Sequence, residues 1–99
     1  MSASNEAEGG QKKARFEDLL EFPTSFVFRV VCAALPRVSA DAVACLERLT
    51  GTSATVVSTN PSRTGKWTVY RIETTVHSAD EVRTAYDQLA AVSGVRMVL

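Results

Sequence analysis

Trp67 to Val76 reads WTVYRIETTV and runs straight into His77-Ser78-Ala79-Asp80-Glu81-Val82. The first stretch is rich in β-branched and aromatic residues. A period of two puts Tyr70, Ile72 and Val76 on one face and Trp67, Val69, Arg71 and Glu73 on the other, the signature of a strand. The second stretch opens with S-x-x-E, the spacing of a capping box, and Val82, Ala85, Tyr86, Leu89 and Ala90 then recur as one helical stripe. A strand feeding directly into an amphipathic helix sets the class as mixed α and β.

Working outward, Ser53 to Thr59 (SATVVST) is a second β-rich run, and Asn60, Pro61 and Gly65 in NPSRTGK mark the loop of a hairpin. Downstream, Gly94 resets the chain before a short strand, Val95 to Leu99 (VRMVL). Upstream, Ser25 to Val31 (SFVFRVV) alternates Phe26, Phe28 and Val30 with Val27, Arg29 and Val31, and the loop AALPR follows. Ser39 offers an N-cap and Asp41 a first-turn acid to a helix whose Ala42, Cys45, Leu46 and Leu49 share a face, ending near Thr50-Gly51. Val38-Ser-Ala-Asp-Ala-Val43 and His77-Ser-Ala-Asp-Glu-Val82 open the two helices with similar sequences, a faint internal echo.

The order strand, helix, strand, strand, helix, strand predicts a ferredoxin-like βαββαβ sandwich. It has a four-stranded antiparallel sheet with two helices on one face. Residues 16–99 are expected to form this single domain, with one helical turn around Phe16, Leu19 and Leu20 ahead of Pro23. Residues 1–15 are polar and small without apolar periodicity, and are expected to be a disordered tail.

Eleven acids balance eleven bases. Residues 1–21 carry five acids and three bases, net −2, and residues 22–99 six acids and eight bases, net +2. That field is too weak to attract a polyanion by charge alone, so nucleic acid is not the expected partner. No stretch approaches a membrane span and no apolar leader opens the chain, so the expected location is the cytoplasm. Cys32 and Cys45 lack CxxC spacing and a nearby histidine, which argues for buried free thiols and against a metal site or a cofactor.

Leu19-Leu20-Glu21-Phe22-Pro23-Thr24 before the first strand, Ala34-Leu35-Pro36 after it and the terminal Val95-Arg96-Met97-Val98-Leu99 together resemble the YbeD-like family of small bacterial proteins of unknown function. The resemblance spans residues 16–99. It implies a ferredoxin-like domain similar to ACT-type regulatory domains, and a loose association with lipoate metabolism. Ligand-binding ACT domains commonly place a glycine between the first strand and first helix. Here that turn is Cys32-Ala-Ala-Leu-Pro-Arg37, without glycine and with an amide missing at Pro36, which puts an amino-acid site of that kind in doubt.

No catalytic constellation emerges. His77 is the sole histidine and precedes a capping serine, while Asp80 and Glu81 suit a helix start. Ser62-Arg-Thr-Gly-Lys66 lacks the leading glycine of a P-loop and sits between strands. A non-enzymatic role is therefore expected.

The face of the sheet away from the helices is expected to carry Arg29, Arg71 and Arg96 with Val27, Val31, Val69 and Val98, and Trp67 if its strand has no bulge. Arginine and tryptophan among valines suit an interface or a shallow ligand platform, whereas pairing by Glu73 and neighbouring acids would make it an ordinary wet sheet. The loop at Leu35, Pro36 and Arg37 is a second candidate. The reading is a regulatory or adaptor domain for a partner protein, a small metabolite or a second copy of itself. Two other classes stay open: a single-stranded RNA binder, although the strand-three aromatics of that class are replaced by Lys66-Trp-Thr-Val-Tyr-Arg71, and a small cysteine-dependent enzyme using Cys32 or His77.

Overall fold

A computed structural model describes residues 21–99, so the expected tail and the turn at Phe16–Leu20 lie outside the described residues. The elements are β1 (Thr24–Ala33), α1 (Pro36–Thr50), β2 (Ala54–Pro61), β3 (Trp67–Val76), α2 (Ala79–Ala90) and β4 (Val95–Val98). The strands form one sheet in the order β2-β3-β1-β4, every neighbouring pair antiparallel. The two helices cover one face. Phe28, Val30 and Cys32 of β1 and Ile72 and Val76 of β3 bury against Val38, Ala42 and Leu46 of α1 and Val82, Ala85 and Leu89 of α2. This is the expected ferredoxin-like sandwich, and the expected alternation of β1 and β3 holds through ten consecutive register pairs from Thr24↔Val76 to Ala33↔Trp67.

The helix starts differ. At α2, Ser78 is extended and its Oγ accepts from the Glu81 amide at 3.1 Å. The Glu81 carboxylate reaches one residue further back than in a standard capping box and accepts from the His77 amide at 2.8 Å. At α1 the expected Ser39 cap is corrected. The helix begins at Pro36, with Leu35 as an N-cap that makes no side-chain cap bond. Proline suits the first helical position, where an amide would be unpaired anyway. Ser39 is already helical and its hydroxyl donates back to the Pro36 carbonyl at 3.0 Å. No acid occupies the first turn, and Asp41 instead meets Arg37 at 3.7 Å. The two similar sequences therefore do not occupy equivalent positions.

Gly51 ends α1 with φ 72°, its amide donating to the Glu47 carbonyl at 2.9 Å. The buried Thr74 hydroxyl donates to the Ser53 carbonyl at 2.9 Å and lies 3.1 Å from the Thr52 hydroxyl. Thr50, also buried, donates to the Leu46 carbonyl at 2.9 Å. These threonines tie the end of α1 to β3 with their polar atoms satisfied.

β4 holds the second correction. Its pairs with β1 are Val30↔Val98, Val31↔Met97 and Cys32↔Val95, so one extra residue, Arg96, is inserted in β4. This bulge puts Val95 and Val98 both against the core and Arg96 and Met97 both toward solvent. Val98, expected on the open face, packs inward for that reason. A similar shift between Val56 and Ser58 on β2 leaves Val57 half exposed.

Candidate functional site: the open face of the sheet

β1 and β3 are the central strands, and their outward residues make the floor of the site. Arg29 stands across from Arg71, Val31 from Val69, Ala33 from Trp67 and Val27 from Glu73. The Arg29 amide and carbonyl both bond to Leu99 of the neighbouring chain end, at 3.4 and 2.7 Å. Arg29 and Arg71 are thus a non-hydrogen-bonded pair, the closer of the two kinds, with side chains rising together.

Like charges opposed across a strand pair are unfavourable, and no acid among the described residues pairs these two arginines. Arg71 donates to the Ser58 hydroxyl at 3.3 Å, and the Glu73 carboxylate accepts from the Ser25 hydroxyl at 2.5 Å. The wet-sheet alternative required Glu73 to neutralise these arginines, and the ion pairs among the described residues lie elsewhere, at Arg37–Asp41, His77–Glu81 and Arg83–Asp80.

Four residues along β3, roughly 13 Å away at the rise of a strand, lies the second cationic point. The β4 bulge aims Arg96 across the sheet, and its guanidinium carbon sits 5.0 Å from the centre of the Trp67 ring. Ala33, Trp67, Gly94, Val95 and Arg96 line a shallow recess there of about 340 Å³. Val27 and Met97 add exposed apolar area, at 41% and 46% exposure. The structure thus brings Arg29 and Arg71 together, and separately Arg96 and Trp67, on one surface.

Leu35, Pro36 and Arg37 are not part of it as a loop. Pro36 and Arg37 belong to α1 and Arg37 faces Asp41, which leaves Leu35 alone at the corner, 48% exposed. Met97 and Gly94 are contributors that simple alternation misses. Strict parity places Met97 inward, and no residue type in VRMVL signals the bulge.

Both cysteines are buried and free, and burial pushes both thiols up, with Arg48 opposing in part at Cys45. The Cys45 thiol points at the Gln88 side-chain oxygen, 3.8 Å away. His77 lies 2.9 Å from Glu81, within the capping structure of α2. Phe26 and Phe28 stack inward, Phe28 meeting Tyr86 edge-on at 5.3 Å, so β1 offers no aromatic to the open face. Among the described residues no group of three or more His, Cys, Asp and Glu side chains could hold a metal ion, and no helix is long and apolar enough to cross a membrane.

The family model described as "Protein of unknown function (DUF493)" matches residues 17–99. A UPF0250 protein of Shewanella loihica is 34% identical over 85 residues, covering 86% of this chain and 96% of the relative. One from Enterobacter sp. (strain 638) is 35% identical over 88 residues, covering 88% and 99%. Among solved structures, protein HP0495 from H. pylori superposes with a TM-score of 0.71 at 14% identity, covering 97% of this chain and 98% of that one. The ACT domain from the GTP pyrophosphokinase of Chlorobium tepidum superposes with a TM-score of 0.57 at 19% identity, covering 77% and 97%. At those identities the two structures are alike in fold, which is ferredoxin- and ACT-like.

Proposed function

The chain belongs to the DUF493 (UPF0250) family of proteins of unknown function, and from that premise we propose that it is a non-catalytic binding module whose open sheet face receives an acidic partner. The partner is a protein or a small metabolite, and the module acts as a regulator or adaptor in the cytosol. The observation that carries this reading is the Arg29–Arg71 pair, two arginines opposite each other across β1 and β3 with no carboxylate neutralising them among the described residues, set among exposed Val27 and Met97. Like charges opposed across a strand pair weaken the sheet, and a partner carboxylate would relieve that repulsion. Arginine among apolar side chains is also the composition of binding hot spots.

Catalysis by cysteine is disfavoured because a reactive thiol needs a lowered pKa and access, and both thiols here are buried and raised. Single-stranded RNA binding is disfavoured because, among the described residues, Trp67 alone offers a ring on this face, where base stacking uses paired aromatics. The association with lipoate metabolism implied by the family makes proteins of that pathway the first partners to test.

The test is charge reversal. Arg29→Glu with Arg71→Glu should abolish thermal shifts induced by an acidic metabolite held at the two arginines, or change self-association measured by sedimentation velocity. If neither responds to the double substitution, the face is wrong.

A further inference from the structure

The Trp67 end of the sheet is built differently from the Arg29–Arg71 end. Its cation is seated on an aromatic ring: the β4 bulge re-aims Arg96, and its guanidinium carbon lies 5.0 Å from the centre of the Trp67 ring. The rest of the recess is Ala33, Gly94 and Val95, apolar side chains and bare backbone, in about 340 Å³. Gly94 has φ 95° and its carbonyl accepts from the Ala33 amide at 2.8 Å, which pins the wall of the recess to the end of β1. No acid among the described residues pairs with Arg96.

We propose that this recess binds a small organic monocarboxylate with an apolar body, the carboxylate on Arg96 and the body against Trp67, Ala33 and Val95. The proposal rests on the open face being the binding surface and names the ligand class at one corner of it. A planar guanidinium matches a carboxylate through two parallel hydrogen bonds. One cation with an otherwise apolar lining suits a single negative charge. Phosphate would call for several further donors, and beyond Arg96 the lining side chains add only the Trp67 indole N–H.

Titration of the full-length protein, followed by amide and indole NMR signals, tests this with hexanoate and phenylacetate as probes and hexanamide and inorganic phosphate as controls. The carboxylates should shift Ala33, Gly94, Val95 and the Trp67 indole saturably. Hexanamide should bind ten- to hundredfold more weakly, roughly the value of a charged hydrogen-bonded contact, and Arg96→Met should lose hexanoate by a similar factor. Arg96 is exposed, so that substitution leaves the core intact. Absence of saturable shifts, equal binding by Arg96→Met, or phosphate binding as tight as hexanoate each overturns the proposal. The Arg29→Glu, Arg71→Glu protein keeps Arg96 and Trp67 and should still bind hexanoate. A failed titration beside a successful charge-reversal test therefore removes the recess alone, while a positive titration beside a failed charge-reversal test removes the wider face alone.

Discussion

Arg29 of β1 stands directly across from Arg71 of β3, and because the Arg29 backbone bonds outward to Leu99, the two side chains share the close, non-hydrogen-bonded kind of pairing. Neither finds a carboxylate among the described residues, since Glu73 is engaged by Ser25. Two like charges opposed across a strand pair are held at some cost to the fold.

That cost is measurable. Arg71→Thr should stabilise the domain by about 0.2–1 kcal/mol, the range for removing an unfavourable cross-strand pair. Urea denaturation should show the gain at low salt and a smaller one at high salt, where the repulsion is screened.

Gly94 is predicted to be the least replaceable glycine. It combines φ 95° with a Val38 methyl that a Cβ would approach to 2.6 Å. Gly94→Ala should cost about 2–5 kcal/mol from backbone strain and overpacking together. Val38→Ala in the same chain should recover part of it, visible as a non-additive double-mutant cycle.

The helix caps separate by residue. Ser78→Ala removes a bond that the Glu81 amide uses and should cost about 1 kcal/mol in denaturant unfolding. Ser39→Ala, inside α1, should change stability by less than half of that, because its hydroxyl only bonds back to the Pro36 carbonyl.

Much of this arrangement is legible in the sequence, and the exceptions have physical causes. Trp67–Val76 and Ser25–Val31 alternate cleanly, so Arg29, Arg71 and Trp67 can be placed on the open face by parity. Pro36 is a helix-start signal as well as a loop residue, and Ser39 looks like a cap because serine competes for backbone bonds in both settings. The β4 bulge is set in the pairing of β4 with β1, residues far apart in the chain. Its consequences, Val98 turned inward and Met97 outward, are therefore beyond local pattern.

Cysteine chemistry supplies a pH prediction. Burial raises both thiols above the ordinary cysteine value of 9.0, so above that pH the unfolded chain holds fewer protons than the native one. The thiol contribution to stability is fully present below pH 9.0 and is lost as pH climbs toward the native values. Urea midpoints should fall more steeply from pH 9 upward in the wild type than in Cys32→Ala. Native alkylation at neutral pH should be slow for both thiols, and rapid labelling of either would reopen the enzyme reading.

The central claim, that the open sheet face is where this domain meets its partner, is tested most directly by comparative affinity capture. Native lysate is passed over the wild type, the Arg29→Glu, Arg71→Glu protein and a helix-side control, Arg83→Glu, and the retained proteins and metabolites are identified by mass spectrometry. The expected result is a retained set shared by the wild type and the control and lost from the double variant. A set kept by the double variant and lost from the control would contradict it and move the binding surface to the helices.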